Sequence, residues 1–171
     1  MASEKGSRTR GGEARALAVF DLDGTLSDTR HRLHFVEGPK RDWNAFFRAA
    51  LDDAPLPAGI ALAQEWAREC DLGYVTGRPE RCRRDTVRWL AAQGLPTGEL
   101  WMRDNADRRP ARVAKPALLR RLAAERTVAV VVDDDVRVCE AYRAEGFHVV
   151  EADWMADSPT LEAAQEESGR T

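Results

Sequence analysis

Two aspartates stand two positions apart in Phe20-Asp21-Leu22-Asp23-Gly24-Thr25-Leu26, directly after the apolar run Ala16-Leu17-Ala18-Val19. An apolar run bounded by a Gly-containing turn reads as a buried strand passing into a loop. The carboxyl ends of parallel strands are where open α/β sheets place their ligands. Burying charge there is costly unless a metal, a cation or catalysis compensates. Carboxylates so placed can attack an electrophile, shuttle a proton or hold a hard divalent cation. Three more groups fall at equivalent places. Thr76-Gly77-Arg78 follows Leu72–Val75, Lys115 opens a helix-like segment, and Asp133-Asp134-Asp135 follows Val128–Val132. One such aspartate alone is as well explained by a helix cap or a turn. Four at two strand ends are not, although Asp135 suits an N-cap for the helix after it. Thr76 and Lys115, each taken alone, would be a loop hydroxyl and a solvated amine.

Alternating strands and helices must position these groups. Apolar runs at Ala16–Phe20, Leu72–Val75, Leu100–Met102, Val128–Val132 and Phe147–Val150 alternate with helix-like segments. Pro57–Cys70 and Pro79–Gln93 each begin with proline, and Gly94 follows the second. Pro116–Arg126 repeats leucine, and Asp135–Glu145 ends before Gly146. This order predicts βαβ units and a Rossmann-like parallel sheet covered on both faces. Residues 28–56 break the alternation and read as a flap with a small helical insert over the site. In that insert Trp43, Phe46 and Phe47 either stack on a base or form the insert's own packing.

In this order, Asp21-x-Asp23-Gly24-Thr25, Thr76, Lys115 and the paired aspartates resemble the haloacid dehalogenase superfamily over about residues 16–154. The resemblance implies a phosphatase. Asp21 is the nucleophile that forms an acyl-phosphate. Asp23 protonates the leaving alkoxide and then deprotonates water. Thr76 and Lys115 bind the transferring phosphoryl oxygens. Mg²⁺ is the implied cofactor, held by Asp21, the Asp23 carbonyl and Asp133 or Asp134, with Asp133 favoured for the direct contact.

From Thr76 to Trp154 the chain is similar to a narrower family, the 3′-phosphatase domain of bacteriophage-type polynucleotide kinase/phosphatase. The matching residues are Thr76-Gly77-Arg78, Arg84-Asp85-Thr86-Val87-Arg88-Trp89-Leu90, Leu100-Trp101-Met102-Arg103, Asp107-Arg108-Arg109, Val113-x-Lys115 and Val132-Asp133-Asp134. This similarity implies substrate contacts from Gly77, Arg78, Arg103 and Arg109, and a flap arginine at Arg30 or Arg32. Three features depart from it. Pro110-Ala111-Arg112 stands where acidic residues are usual, Asp135 stands where an arginine is usual, and no GxxxxGK[ST] loop is present. The implied substrate is a 3′-phosphate of a nucleotide or nucleic-acid end. A nucleoside monophosphate or another small phosphorylated metabolite is the alternative, and a non-catalytic phosphate-binding module is a third.

Composition agrees with an anionic substrate. The 171 residues support one domain with its own core. Net charge is −3, yet residues 78–126 carry +7 and residues 127–171 carry −8. A basic middle segment in an acidic chain fits a phosphorylated ligand better than general nucleic-acid coating. Residues 1–14 read as a disordered leader, 15–156 as the phosphatase domain and 157–171 as an acidic tail. No run approaches the roughly 18 apolar residues of a membrane span, and no segment marks an obligate protein partner. Cys70, Cys82 and Cys139 are odd in number, without metal-like spacing, as in a reduced cytoplasmic protein.

Overall fold

Leu17, Ala18, Val19 and Phe20 have no solvent exposure, as a strand covered on both faces requires. They form β1 (Leu17–Phe20), the middle strand of the sheet. The structure is a computed structural model that describes residues 14–155 together with 166 and 167. The expected leader, residue 14 apart, and the expected tail, those two glutamates apart, lie outside the described residues.

After β1 come β2 (Ser27–Asp28), a 3-10 turn at Arg30–Phe35 and α1 (Trp43–Arg48). A second 3-10 turn (Ala49–Asp52), β3 (Ala54–Pro55) and α2 (Pro57–Trp66) follow. The chain continues through β4 (Asp71–Pro79), α3 (Arg83–Ala92), β5 (Glu99–Arg103) and α4 (Ala111–Glu125). The last described elements are β6 (Val128–Asp133), α5 (Val136–Ala144) and β7 (Val149–Glu151). Among the described residues one sheet has the order β5-β4-β1-β6-β7 with every pairing parallel. The fold is the α/β, Rossmann-like one the motif order predicts.

Alternate residues of each strand feed two cores. Ala18, Phe20, Tyr74 and Val132 pack with Ala63, Trp89 and Leu90 of α2 and α3. Leu17, Val19, Val75 and Val131 pack with Leu119, Leu122, Val138 and Tyr142 of α4 and α5. β4 and β6 flank β1, so their carboxyl ends converge on the same edge. That edge carries Asp21, Thr76 and Asp133.

The helix carrying Lys115 differs from expectation. The sequence reading opens it at Lys115, because proline is favoured in a helix's first turn. The structure begins α4 at Ala111 and carries Pro116 inside it. The Val113 and Ala114 N–H groups donate to the Pro110 carbonyl, which starts the helix one turn early. Pro116 has no N–H to give the Arg112 carbonyl, so the helix loses one bond there. Lys115 is therefore held on a formed turn.

The insert packs upon itself. Phe46 meets Trp43 and Phe47 edge-on, while Trp43 and Phe47 stack. All three are buried, together with Val36. They form a small core of their own, and Phe47 also borders a small cavity beside Gly77 and Arg103.

Gly59 lets α2 lie against the loop after β1. A Cβ there would stand 2.0 Å from the Thr25 carbonyl oxygen, which is backbone and has little room to yield. Gly59→Ala is expected to cost about 1–3 kcal/mol by overpacking and to reduce turnover by shifting the loop. Thermal melting and a turnover assay check this. An unchanged melting temperature would show that the helix moves aside freely.

Candidate active site

The loop after β1 is closed by its own backbone. The Thr25, Leu26 and Ser27 N–H groups all donate to the Leu22 carbonyl, and Gly24 N–H donates to the Ser27 carbonyl. Gly24 has φ +85, and a Cβ on it would lie 2.1 Å from Asp134 Oδ2. The left-handed backbone favours glycine there, and any side chain would push the Asp134 carboxylate out of its place. Trp154 Nε1 donates to the Thr25 carbonyl at 2.8 Å, pinning the loop from a position far along the chain.

Asp21 is buried, with its N–H bonded to the Val132 carbonyl at 2.8 Å, so β6 fixes its height. Lys115 Nζ reaches Asp21 Oδ2 at 2.9 Å and Asp133 Oδ2 at 3.0 Å. Asp21 Oδ1 is buried with no hydrogen-bond partner among the described residues. Burial, with the charge of Asp23 added, raises Asp21 above the usual carboxylate range, and Lys115 opposes the rise. Burial would strip the proton from Lys115, but Asp133 and Asp21 outweigh it and hold the amine charged.

Asp133 accepts from the Asp135 N–H at 3.1 Å as well as from Lys115. Burial pushes Asp133 up to about 7, with Lys115 opposing and Asp21 adding to the rise. Asp134 is raised well above its ordinary value by burial, then by Asp21 and Asp133. Its Oδ1 accepts from the Thr25 hydroxyl at 3.3 Å. Asp21, Asp133 and Asp134 each offer an oxygen within 4.8 Å of the others. Among the described residues this is a carboxylate trio that can hold a cation. Three hard carboxylate oxygens, one from each aspartate, suit a Mg²⁺-like ion, and Asp21 keeps a buried oxygen with no hydrogen-bond partner among the described residues. Asp135 lies outside the trio and caps α5 by accepting from the Arg137 and Val138 N–H groups.

Asp23 faces the other way. Its Oδ1 takes Arg32 Nη2 at 2.6 Å, Arg78 Nε at 3.0 Å, Arg78 Nη2 and the Ser27 hydroxyl at 3.1 Å. Burial alone would raise Asp23, but Arg32 and Arg78 outweigh it and hold the carboxyl well below its usual range. Its Oδ2 is buried with no hydrogen-bond partner among the described residues. Behind the arginines lies Asp53, just after the second 3-10 turn. Arg32 Nε and Nη2 meet Asp53 Oδ1 and Oδ2 at 2.7 Å and 2.6 Å, and Arg78 Nη2 meets Oδ2 at 3.2 Å. His31 Nε2 lies 2.8 Å from Asp53 Oδ1. The Asp53 carbonyl accepts from Trp89 Nε1 at 2.8 Å. Two carboxylates and two guanidiniums thus form one buried, charge-balanced clamp.

The structure gathers Asp21, Asp23, Lys115, Asp133, Asp134, Arg32 and Arg78 into one site. The Thr76 hydroxyl, buried beside them, accepts from the Arg78 N–H at 3.2 Å. Gly77 and Arg103 line a small neighbouring cavity with Phe47 and Arg81. Arg103 is buried and donates to the Arg109 carbonyl at 2.7 Å. Arg30 and Arg109 are exposed and lie outside the cluster, paired with Asp28 and Asp107 two positions before each. Sequence reasoning missed Asp53 and Ser27, and named Thr25 within its motif without giving it a role. The available signal for Asp53 was an insert holding both arginines and acidic residues, since buried charges need partners.

No curated protein sequence matches the chain. Solved structures match its fold. A chain of the Pnkp1/Rnl/Hen1 RNA repair complex superposes with a TM-score of 0.68 at 23% identity, over 91% of this chain and 49% of that one. This protein therefore spans about half the length of that relative. The haloacid dehalogenase-like hydrolase SP0104 from Streptococcus pneumoniae gives 0.61 at 14% identity, covering 90% of this chain and 92% of that one. The class C acid phosphatase from Bacillus anthracis with tungstate bound gives 0.58 at 15%, covering 94% and 81%. The family model for the polynucleotide kinase PNKP phosphatase domain matches residues 15–154. That span runs from β1 past the carboxylate trio, and the chain is a phosphatase of the haloacid dehalogenase fold, belonging to the family of polynucleotide kinase phosphatase domains.

Proposed function

We propose that this protein is a Mg²⁺-dependent phosphomonoesterase acting on the 3′-phosphates of nucleotides or nucleic-acid ends through an aspartyl-phosphate on Asp21. One observation carries the reading. Two buried carboxylates sit side by side with opposite surroundings, each with one oxygen that has no hydrogen-bond partner among the described residues. Asp21 faces Lys115 and the trio, while Asp23 faces the arginine clamp.

Asp21 attacks phosphorus, forming an O–P bond as the ester P–O bond breaks. Asp23 Oδ2 gives a proton to the departing alkoxide. The same atom then takes a proton from water, whose oxygen displaces Asp21 and releases phosphate. Thr76 and Lys115 stabilise the charge that develops on the transferring oxygens. Asp21, Asp133, Asp134 and the Asp23 carbonyl would hold Mg²⁺, which when bound neutralises charge between an anionic nucleophile and an anionic phosphate.

The clamp keeps Asp23 ionised in the free enzyme, so its proton must arrive with the substrate. Phosphate monoesters lose their second proton at about pH 6. kcat/KM is therefore expected to fall as pH rises through that value. A flat profile from about pH 5 to 8 would contradict this proton source. Metal affinity should move the opposite way. Burial pushes Asp133 up to about 7, so it must lose a proton to bind. Mg²⁺ binding, read as a rise in melting temperature, is expected to tighten as pH climbs from 6 to 8. Equal affinity across that range would place the ion elsewhere.

Family membership and the basic middle segment support a nucleic-acid end as substrate. The local pairing of Arg30 and Arg109 favours a smaller one, a mononucleotide or metabolite. The free thiols of Cys70, Cys82 and Cys139 support a reducing, cytoplasmic setting. Among the described residues no helix is long and apolar enough to cross a membrane. Phosphate release is to be measured from a 3′-phosphorylated oligonucleotide, a nucleoside 3′-monophosphate and a sugar phosphate, with Mg²⁺ and with EDTA. The reading predicts the first to be best and no release in EDTA. A preferred sugar phosphate would assign the metabolite reading.

A further inference from the structure

Most arginines around the site are already neutralised by nearby or buried carboxylates. Arg32 and Arg78 face Asp23 and Asp53, while Arg30 and Arg109 pair within their own loops. Three others meet carboxylates from far along the chain. Arg41 Nη2 meets Glu167 Oε2 at 2.7 Å across 126 positions. Arg112 Nε meets Glu166 Oε1 at 3.0 Å across 54 positions, and Arg137 Nη1 lies 3.5 Å from Glu166 Oε2.

These three come from three elements that also carry or adjoin site residues. Arg112 lies on the first turn of α4, three positions before Lys115. Arg137 lies on the first turn of α5, just past the carboxylate trio. Arg41 stands on the insert, before the helix whose Phe47 lines the cavity beside Gly77 and Arg103. Arg112 and Arg137 are exposed, and Arg41 is half-buried. One carboxylate between two guanidiniums, with a second beside it on a third, is the arrangement that successive phosphodiesters would present.

We infer that Arg41, Arg112 and Arg137 form a second anion site, for phosphodiesters of a single strand beyond its reacting 3′-phosphate, and that Glu166 and Glu167 occupy it until substrate displaces them. The inference rests on the nucleic-acid reading above and adds the residues that select length. The two glutamates are a competing anion at high effective concentration because they are tethered to the same chain. Long substrates must displace them, and short ones do not meet them.

The test uses full-length variants and a fluorescent single-stranded oligonucleotide ending in 3′-hydroxyl, whose binding does not depend on catalysis. Glu166→Gln/Glu167→Gln is expected to tighten binding several-fold. Arg112→Gln/Arg137→Gln should weaken it several-fold, with a log–log salt slope shallower by roughly 0.7 for each phosphate that the variant no longer neutralises. In parallel, the glutamate variant should lower KM for an oligonucleotide 3′-phosphate and leave a nucleoside 3′-monophosphate unchanged. Oligonucleotide affinity unaltered in the glutamate variant, or KM altered equally for both substrates, overturns the inference. Absence of phosphate release from every monoester would instead overturn the phosphatase reading, while the binding measurement still decides this one.

Discussion

Asp21→Asn is expected to abolish turnover, by on the order of 10⁴–10⁶-fold, the scale on which enzymes lose an attacking group. The amide matches the carboxylate in shape, so β1 and the loop keep their packing. It cannot form an acyl-phosphate. It also removes one member of the carboxylate trio and one of the two anions that hold Lys115. Burial raises Asp21 and the variant removes that strain, so the melting temperature should hold or rise. Steady-state phosphate release and a thermal melt together check this. Residual turnover near wild type would end the covalent account, and a collapsed melting curve would show Asp21 to be structural.

Asp53→Asn should cost both stability and rate. Asp53 is fully buried and shared by two guanidiniums. The amide keeps the volume but leaves Arg32 and Arg78 with Asp23 as their remaining carboxylate in the clamp. Removing one partner of a buried pair typically costs about 3–5 kcal/mol. In a chain of this size that lowers the melting temperature by roughly 10 °C. Asp23 would also lose its alignment, and an error of about 1 Å at a reacting group can cost 10²-fold in rate. Melting and kcat should therefore fall together. Wild-type values for both would show that the two arginines hold Asp23 unaided.

The site's parts are readable in sequence where each motif abuts its own apolar run. Asp21 directly follows β1, Asp133 ends β6 and Thr76 lies three positions before the end of β4, which runs on past the apolar run that marks it in sequence. The sheet order brings them together because parallel strands end on one edge. Lys115 is readable as a residue, but its helix start is not. Proline marks a first turn statistically, and the Pro110 carbonyl overrides that by capturing two N–H groups. The clamp is not readable. It joins Asp23 and Asp53, on loops, to Arg32 on a 3-10 turn and Arg78 near the end of β4, and no periodicity links the four. Nothing local distinguishes Asp53 from Asp52. Trp43, Phe46 and Phe47 leave two outcomes open in sequence, and only their mutual burial decides between them. The glutamates facing Arg41, Arg112 and Arg137 are visible only as net charge.

The account stands on a phosphoryl group passing through Asp21. Its most direct test is to mix the protein and Mg²⁺ with an oligonucleotide radiolabelled in its 3′-phosphate, quench in acid within one turnover, and map the label on the chain. The account predicts acid-stable, alkali-labile label on the peptide containing Asp21, and none in Asp21→Asn. Full turnover with no labelled protein, or label on another residue, would contradict it.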